Sequence, residues 1–167
     1  FYPLTLAWYG EVERQLLAQG RMLSNQEQAL AQRLGVKFPE NVRIVVLEKF
    51  PMPSNHELAT EAEKLGLGWA LEGGRAMGYA IMLKPKLADN PTVIAHELGH
   101  VVGAHHSQAT KPFPYSSAFC QDSVQPYWQT IMAYCDRGGQ VVDLFSNPER
   151  TYEGIQMGVA DRSDNAR

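Results

Sequence analysis

The chain of 167 residues lacks any apolar run near the roughly 18 residues that a membrane-spanning helix requires. Its longest such stretch, Ala76 to Leu83, is strand-sized and broken by Gly78. It also lacks an excess of positive charge. Fifteen Lys and Arg stand against 18 Asp and Glu, for a net charge of −3. That balance excludes the basic face by which a nucleic-acid binder or a protein docked on an anionic membrane announces itself. Internal repeats and low-complexity tracts are absent, as are a GxSxG elbow, a phosphate loop, a CxxC pair and a dinucleotide fingerprint, which removes most rival catalytic centres. Cysteine is scarce: Cys120 and Cys135 alone, a count that fits one disulfide in a secreted protein or two free thiols in a cytosolic one. No charged-then-apolar leader precedes Phe1, which fits a leader or pro-segment removed upstream, or a chain trimmed at its start.

What is present is a chain with 44% hydrophobic and 20% charged residues, the balance of a folded domain with an ordinary core. One domain over residues 1–167 is expected, with an upper half to about residue 103 and a lower half from 104. Trp8, Val12, Leu16 and Leu17, then Leu23, Leu30 and Leu34, recur at helical spacing, with Gly20 as the interruption. Ser24 followed by Glu27 is a capping-box pattern, so a second helix is predicted from about Asn25 to Leu34, ended by Gly35. Val42 to Leu47 is rich in β-branched residues and reads as a buried strand. A short helix, His56 to Leu65, follows Asn55 and stops at Gly66. Gly73-Gly74 reads as a turn and Met77 to Leu83 as a strand, so residues 67–83 are expected to form a hairpin. Asn90-Pro91 supplies an N-cap and a proline at the first helical position, opening a helix to about Val102. The chain beyond is rich in proline, and Gly138-Gly139 reads as a further turn.

The chemistry lies in His96-Glu97-Leu98-Gly99-His100-Val101-Val102-Gly103-Ala104-His105-His106. On a helix, His96 and His100 stand one turn apart and point to one side, a spacing suited to two nitrogen ligands on one zinc ion. Glu97 lies beside them, angled to reach a water on the metal without binding the metal itself. Gly103 falls where the helix ends. A residue free to adopt positive φ there turns the chain back and lets His106 approach the same ion. Three neutral imidazoles leave a fourth position open, the pattern of catalytic rather than structural zinc. Glycine and a third histidine at fixed offsets bring chance occurrence down to roughly one in 10⁵ chains. A polar helix with surface histidines would not concentrate four of the five histidines in this string. His105 is read as a solvent-facing or supporting imidazole, and His56 as a surface residue. Asp89, Asp136 and Asp143 are read as solvated loop acids.

His96, Glu97, His100, Gly103 and His106 resemble the HExxHxxGxxH signature of the metzincin clan of zinc endopeptidases. Thr130-Ile131-Met132-Ala133-Tyr134-Cys135 resembles the clan's Met-turn. The resemblance implies an α+β, zincin-like fold: a small twisted sheet, an active-site helix and a loop-rich C-terminal subdomain. It implies one catalytic Zn²⁺ on His96, His100 and His106, with Met132 as the hydrophobic floor beneath them. Glu97 becomes the general base and acid. Tyr134 is similar to the tyrosine that astacins and serralysins place near the metal, where a phenol can stabilise the oxyanion. Ser107 after the third histidine resembles matrixins, while the tail from Leu144 is similar to secreted bacterial reprolysin-like or astacin-like members. In those a Cys120–Cys135 bridge is implied, and about Gly138 to Asn147 would shape the S1′ pocket. A peptide substrate would bind extended along an edge strand at Arg75–Leu83. A secreted or periplasmic monomer without a nucleic-acid partner or membrane span completes the expectation. The alternative is a partner-specific enzyme or a non-proteolytic, zinc-binding regulatory module; hydrolysis of cell-wall peptides would use the same chemistry.

Overall fold

In the computed structural model the residues described are 2–64, 67–68, 72–106, 116–142, 144–160 and 162–164. Gly66, Ser107 and Asp143 lie outside them. The fold is α+β, and the chain divides into two compact units, Phe1–Glu97 and Leu98–Arg167.

The first unit opens with α1 (Tyr2–Gln19), whose Val12 and Leu16 are buried and whose Trp8, Tyr9 and Leu17 flank them. This face covers Val45, Phe50, Met77, Ala80 and Met82. A two-residue strand β1 (Arg21–Met22) that the helical spacing did not foretell follows Gly20. The second helix α2 (Asn25–Arg33) begins with the predicted capping box: the Ser24 side chain accepts the Glu27 N–H, and the Glu27 carboxylate accepts the Ser24 N–H. The expected strand is β2 (Arg43–Val46). The helix α3 (His56–Lys64) is capped by Asn55, whose Oδ1 accepts the Leu58 N–H at 3.1 Å.

Two expectations about residues 67–83 are corrected. Gly73-Gly74 is not a turn, because Gly74 begins the strand β3 (Gly74–Met77). The reversal comes at Gly78-Tyr79, where Gly78 takes φ +58, and leads into β4 (Ala80–Leu83). Helix α1 holds this reversal, since the Tyr9 hydroxyl accepts the Gly78 N–H at 2.6 Å and Glu13 accepts the Tyr79 N–H at 2.9 Å. Arg75–Leu83 is therefore not one edge strand. The sheet order is β1-β2-β4-β3, so β4 is interior, parallel to β2, and only β3 lies at the edge. All four β4 side chains are buried, as an interior strand covered on both faces requires.

Helix α4 (Pro91–Val101) follows, with Asn90 Oδ1 accepting the N–H groups of Thr92 at 3.0 Å and Val93 at 3.2 Å. Its end is a Schellman cap. Gly103 adopts φ +86, its N–H donates to the His100 carbonyl, and the Ala104 N–H donates to the Gly99 carbonyl.

In the second unit, β5 (Cys120–Gln121), β6 (Trp128–Thr130) and β7 (Gln140–Val142) form one sheet in that order. A hairpin of β8 (Asn147–Tyr152) and β9 (Ile155–Met157) stands beside it in sequence. Trp128, Val142 and Met157 make a buried cluster with Phe119, Tyr152 and Ile155 packed on it. Cys120 and Cys135 are joined by a disulfide, and Gly138 and Gly139 both take positive φ in the turn before β7.

Candidate metal centre and its neighbours

Helical spacing places His96 and His100 on one side of α4, and the Schellman cap returns the chain so that His106 reaches the same point. The ligand atoms offered by His96, His100 and His106 lie within 4.8 Å of one another. Among the described residues this is the group able to hold a metal ion, and His105 is not part of it. His105 instead meets the His100 ring edge-on at 6.0 Å between centroids, and burial lowers its pKa. His56 stands exposed at the start of α3.

Backbone carbonyls decide which nitrogens face the centre. The Nδ1–H of His100 donates to the Ala104 carbonyl at 3.1 Å, and the Nδ1–H of His106 donates to the Met132 carbonyl at 2.7 Å. With Nδ1 protonated, Nε2 of a neutral imidazole carries a lone pair. The two Nε2 atoms face each other at 3.0 Å, with the rings crossed at 84°. Two converging lone pairs repel unless they share an electrophile. Borderline-soft imidazole nitrogens in a set of three match Zn²⁺, so the donor chemistry fits that ion. The carbonyl partners are the outer-shell contacts that fix tautomer and ring orientation at metal sites.

Met132 is fully buried, and its sulfur packs toward Gly99 in α4: a Cβ on Gly99 would stand 2.5 Å from that sulfur. The stretch therefore supports His106 by its backbone and the helix by its side chain. Tyr134, two residues on, is largely exposed, with its ring 4.5 Å from that of His106 and tilted by 44°.

Glu97 is 4% exposed, and its surroundings lie on β3. The Ala76 N–H favours the charged form of the carboxylate, and Oε2 is buried without a hydrogen-bond partner. Burial foremost, then the negative charge of Glu72, pushes its pKa up to about 8, opposed by the Ala76 N–H and by Arg75. Arg75, itself buried, is committed elsewhere: Nε and Nη2 donate to Glu72 at 2.6 and 2.8 Å, and Nη1 to the Pro51 carbonyl at 2.7 Å. Gly74 is in direct contact with the same carboxylate, since a Cβ there would meet Glu97 Oε1 at 2.4 Å.

The register explains why Ala76 is available. The Lys84 N–H donates to the Gly73 carbonyl, so Gly73 and Lys84 form a hydrogen-bonded pair, as do Arg75 with Met82 and Met77 with Ala80. Gly74 and Ala76 alternate with these and direct their N–H and C=O groups away from β4. Residue patterns had not pointed to Gly74, Ala76, Glu72 or the carbonyl of Ala104. The Gly73-Gly74 doublet was the available signal, misread as a turn because glycine spacing does not separate a need for positive φ from a need for space.

Curated relatives match part of the chain. The chain is 38% identical over 79 residues to a peptidyl-Asp metalloendopeptidase of Stenotrophomonas maltophilia strain R551-3, and 40% identical over 78 residues to one of Xanthomonas campestris pv. campestris. A peptidyl-Asp metalloendopeptidase of S. maltophilia strain K279a is 39% identical over 79 residues. Each match takes 44% of this chain and only 18–19% of the relative's length. No solved structure matches. The family model of the reprolysin-like metallopeptidases M12B matches residues 65–161, from the hairpin through the three histidines to the last strand. On that match, which takes in more than half of its length, the chain belongs to metallopeptidase family M12B, reprolysin-like.

Proposed function

We propose that this chain is the catalytic domain of a secreted or periplasmic zinc endopeptidase, acting as a monomer on extended peptide substrates. One observation carries the reading. Two histidines spend Nδ1–H on backbone carbonyls so that both Nε2 lone pairs converge, one helical turn from a buried carboxylate with an unpartnered oxygen. A structural zinc site has no use for that carboxylate.

His96, His100 and His106 would hold the ion. Zn²⁺ when bound polarises the substrate carbonyl and makes water a nucleophile near neutral pH. Glu97, packed against Gly74 of β3, takes a proton from the attacking water at Oε2 and passes it to the leaving amine nitrogen. Tyr134 donates its phenolic O–H to the carbonyl oxygen as negative charge gathers there. Met132 keeps the third histidine in register. The substrate main chain pairs with the outward groups of β3, which narrows the expected edge from Arg75–Leu83 to Gly74–Met77. The segment after the disulfide, about Gly138 to Asn147, lines the pocket for the residue beyond the scissile bond. By the names of the relatives, an aspartate at the cleaved bond is the preference to look for.

Digestion of denatured casein, read by mass spectrometry, tests the reading with Glu97→Ala and a chelator as controls. Cuts beside aspartate that vanish in both controls are expected, while Glu97→Ala retains one zinc per chain. A zinc-loaded wild-type protein that makes no cut would shift the reading to a partner-specific enzyme or a regulatory zinc module.

A further inference from the structure

We infer that the edge strand β3 positions the Glu97 carboxylate, and that Gly74 is a positioning residue for the reaction because only a residue without a side chain leaves room for that carboxylate beside the Ala76 N–H. The inference rests on the reading of Glu97 as the proton-transfer group and goes beyond it to the device that aims it.

Three facts converge on one carboxylate. The outward N–H of Ala76 favours its charged form. A Cβ on Gly74 would stand 2.4 Å from Oε1, 2.8 Å from Cδ and 3.0 Å from Cγ of Glu97. Oε2 is left buried and unpartnered. Gly74 takes none of the positive φ values for which glycine is otherwise required, so space is the reason for glycine here. A buried carboxylate packed against the backbone of an edge strand has its oxygens aimed. A carboxylate free to rotate would spread them over several directions, and a misplacement near 1 Å can cost on the order of 100-fold in rate.

The geometry also says where a substitution is felt. The atoms that Cβ would strike form the far end of a side chain with rotatable bonds, not backbone. Gly74→Ala is therefore expected to displace the carboxylate rather than the strand. Gly73 provides a matched control: a Cβ there would meet Leu87 Cδ1 at 2.6 Å, also a flexible end, and touches nothing of Glu97.

The test uses the zinc-loaded protein and a quenched fluorogenic peptide containing one aspartate. Gly74→Ala is expected to lower kcat by about 10- to 100-fold with KM within about twofold, one zinc retained and Tm near wild type, while Gly73→Ala keeps wild-type kcat. Shortening the side chain by Glu97→Asp should cost less in the Gly74→Ala background than alone, because both act on the same oxygen. Wild-type kcat in Gly74→Ala, an equal loss in Gly73→Ala, or strict additivity with Glu97→Asp would overturn the inference. If Gly74→Ala fails to fold, recovery of folding in Gly74→Ala/Glu97→Asp supports it, and a double variant that also fails to fold overturns it. Full activity of zinc-loaded Glu97→Gln would instead overturn the role of Glu97 itself, a separate result.

Discussion

Gly99 separates two opposed effects within one residue. It lies inside α4, where glycine is less favourable than alanine by about 1 kcal/mol, so propensity alone makes Gly99→Ala stabilising. Packing says the reverse. The new Cβ would stand 2.5 Å from Met132 Sδ and 2.9 Å from Phe145 Cε1, where about 3.5–4.0 Å is comfortable. Both neighbours are buried, Met132 fully, so neither can move aside into solvent. Overpacking of this kind costs about 1–3 kcal/mol, against a propensity gain of about 1 kcal/mol. A net loss of up to about 2 kcal/mol is expected, or a fall in Tm of up to roughly 8 °C for a chain of this size. The candidate metal site should feel it too, because displacing Met132 shifts the carbonyl that accepts the His106 Nδ1–H. A loss of about 10- to 100-fold in zinc affinity follows from disturbing such a partner. Calorimetry of the metal-free protein and competition with a chromophoric chelator measure the two effects. A higher Tm with unchanged zinc affinity would refute the packing argument, and Gly99→Ala/Met132→Ala should show coupling of at least about 0.5 kcal/mol.

The Cys120–Cys135 bridge spans a sequence separation of 15, for which constraint of the unfolded chain is worth about 3 kcal/mol. Urea unfolding of Cys120→Ser/Cys135→Ser should show that loss, and a difference under about 1 kcal/mol would mean the bridge constrains little. Glu27 accepts from Arg21 Nη1 at 2.7 Å and Nη2 at 2.8 Å and from the Ser24 N–H at 2.7 Å, and the Arg21 guanidinium foremost holds its pKa down at about 2. A depressed carboxylate stabilises above its unfolded pKa, and that stability is lost as pH falls toward 2. Because the Arg21 side chain is 43% exposed, the pair contributes about 1 kcal/mol after screening. The stability difference between wild type and Glu27→Gln should accordingly shrink on acidification from pH 5; a pH-independent difference would contradict it. Arg75→Met would leave the partly buried Glu72 without its cation and with the Gly68 N–H still donating to it, at a cost of up to about 3 kcal/mol by thermal or urea unfolding, and a neutral substitution would show that Glu72 finds another partner.

The parts of this chain that were legible beforehand are those whose cause is local. Ser24 with Glu27, Asn90 with Pro91, and Gly103 each act within one helical turn, and each forms the cap that its residue types predict. The histidine spacing is local in the same sense, since α4 and its Schellman turn carry all three candidate ligands within eleven residues. The strands of the second unit have only two to six residues, too short for a period of two to stand out from proline-rich connections. Strand β1 is two residues long and is defined by its pairing with β2, a tertiary fact.

Gly73-Gly74 shows the harder limit. A glycine doublet announces that side chains are unwelcome, but two different causes produce it: backbone dihedrals that L-residues avoid, and an atom elsewhere in the chain that needs the space. The first can be judged from neighbours in sequence. The second cannot, because the atom that excludes a side chain at Gly74 belongs to Glu97, 23 residues further on. The true reversal at Gly78 was hidden for the complementary reason. A single glycine inside an apolar run reads as a blemish in one strand until Tyr9 and Glu13, from a helix nearly 70 residues earlier, are seen to hold the N–H groups of Gly78 and Tyr79. Both misreadings concern the hairpin that the reaction would use, which follows if a catalytic carboxylate is aimed by contacts distant in sequence rather than by its own motif.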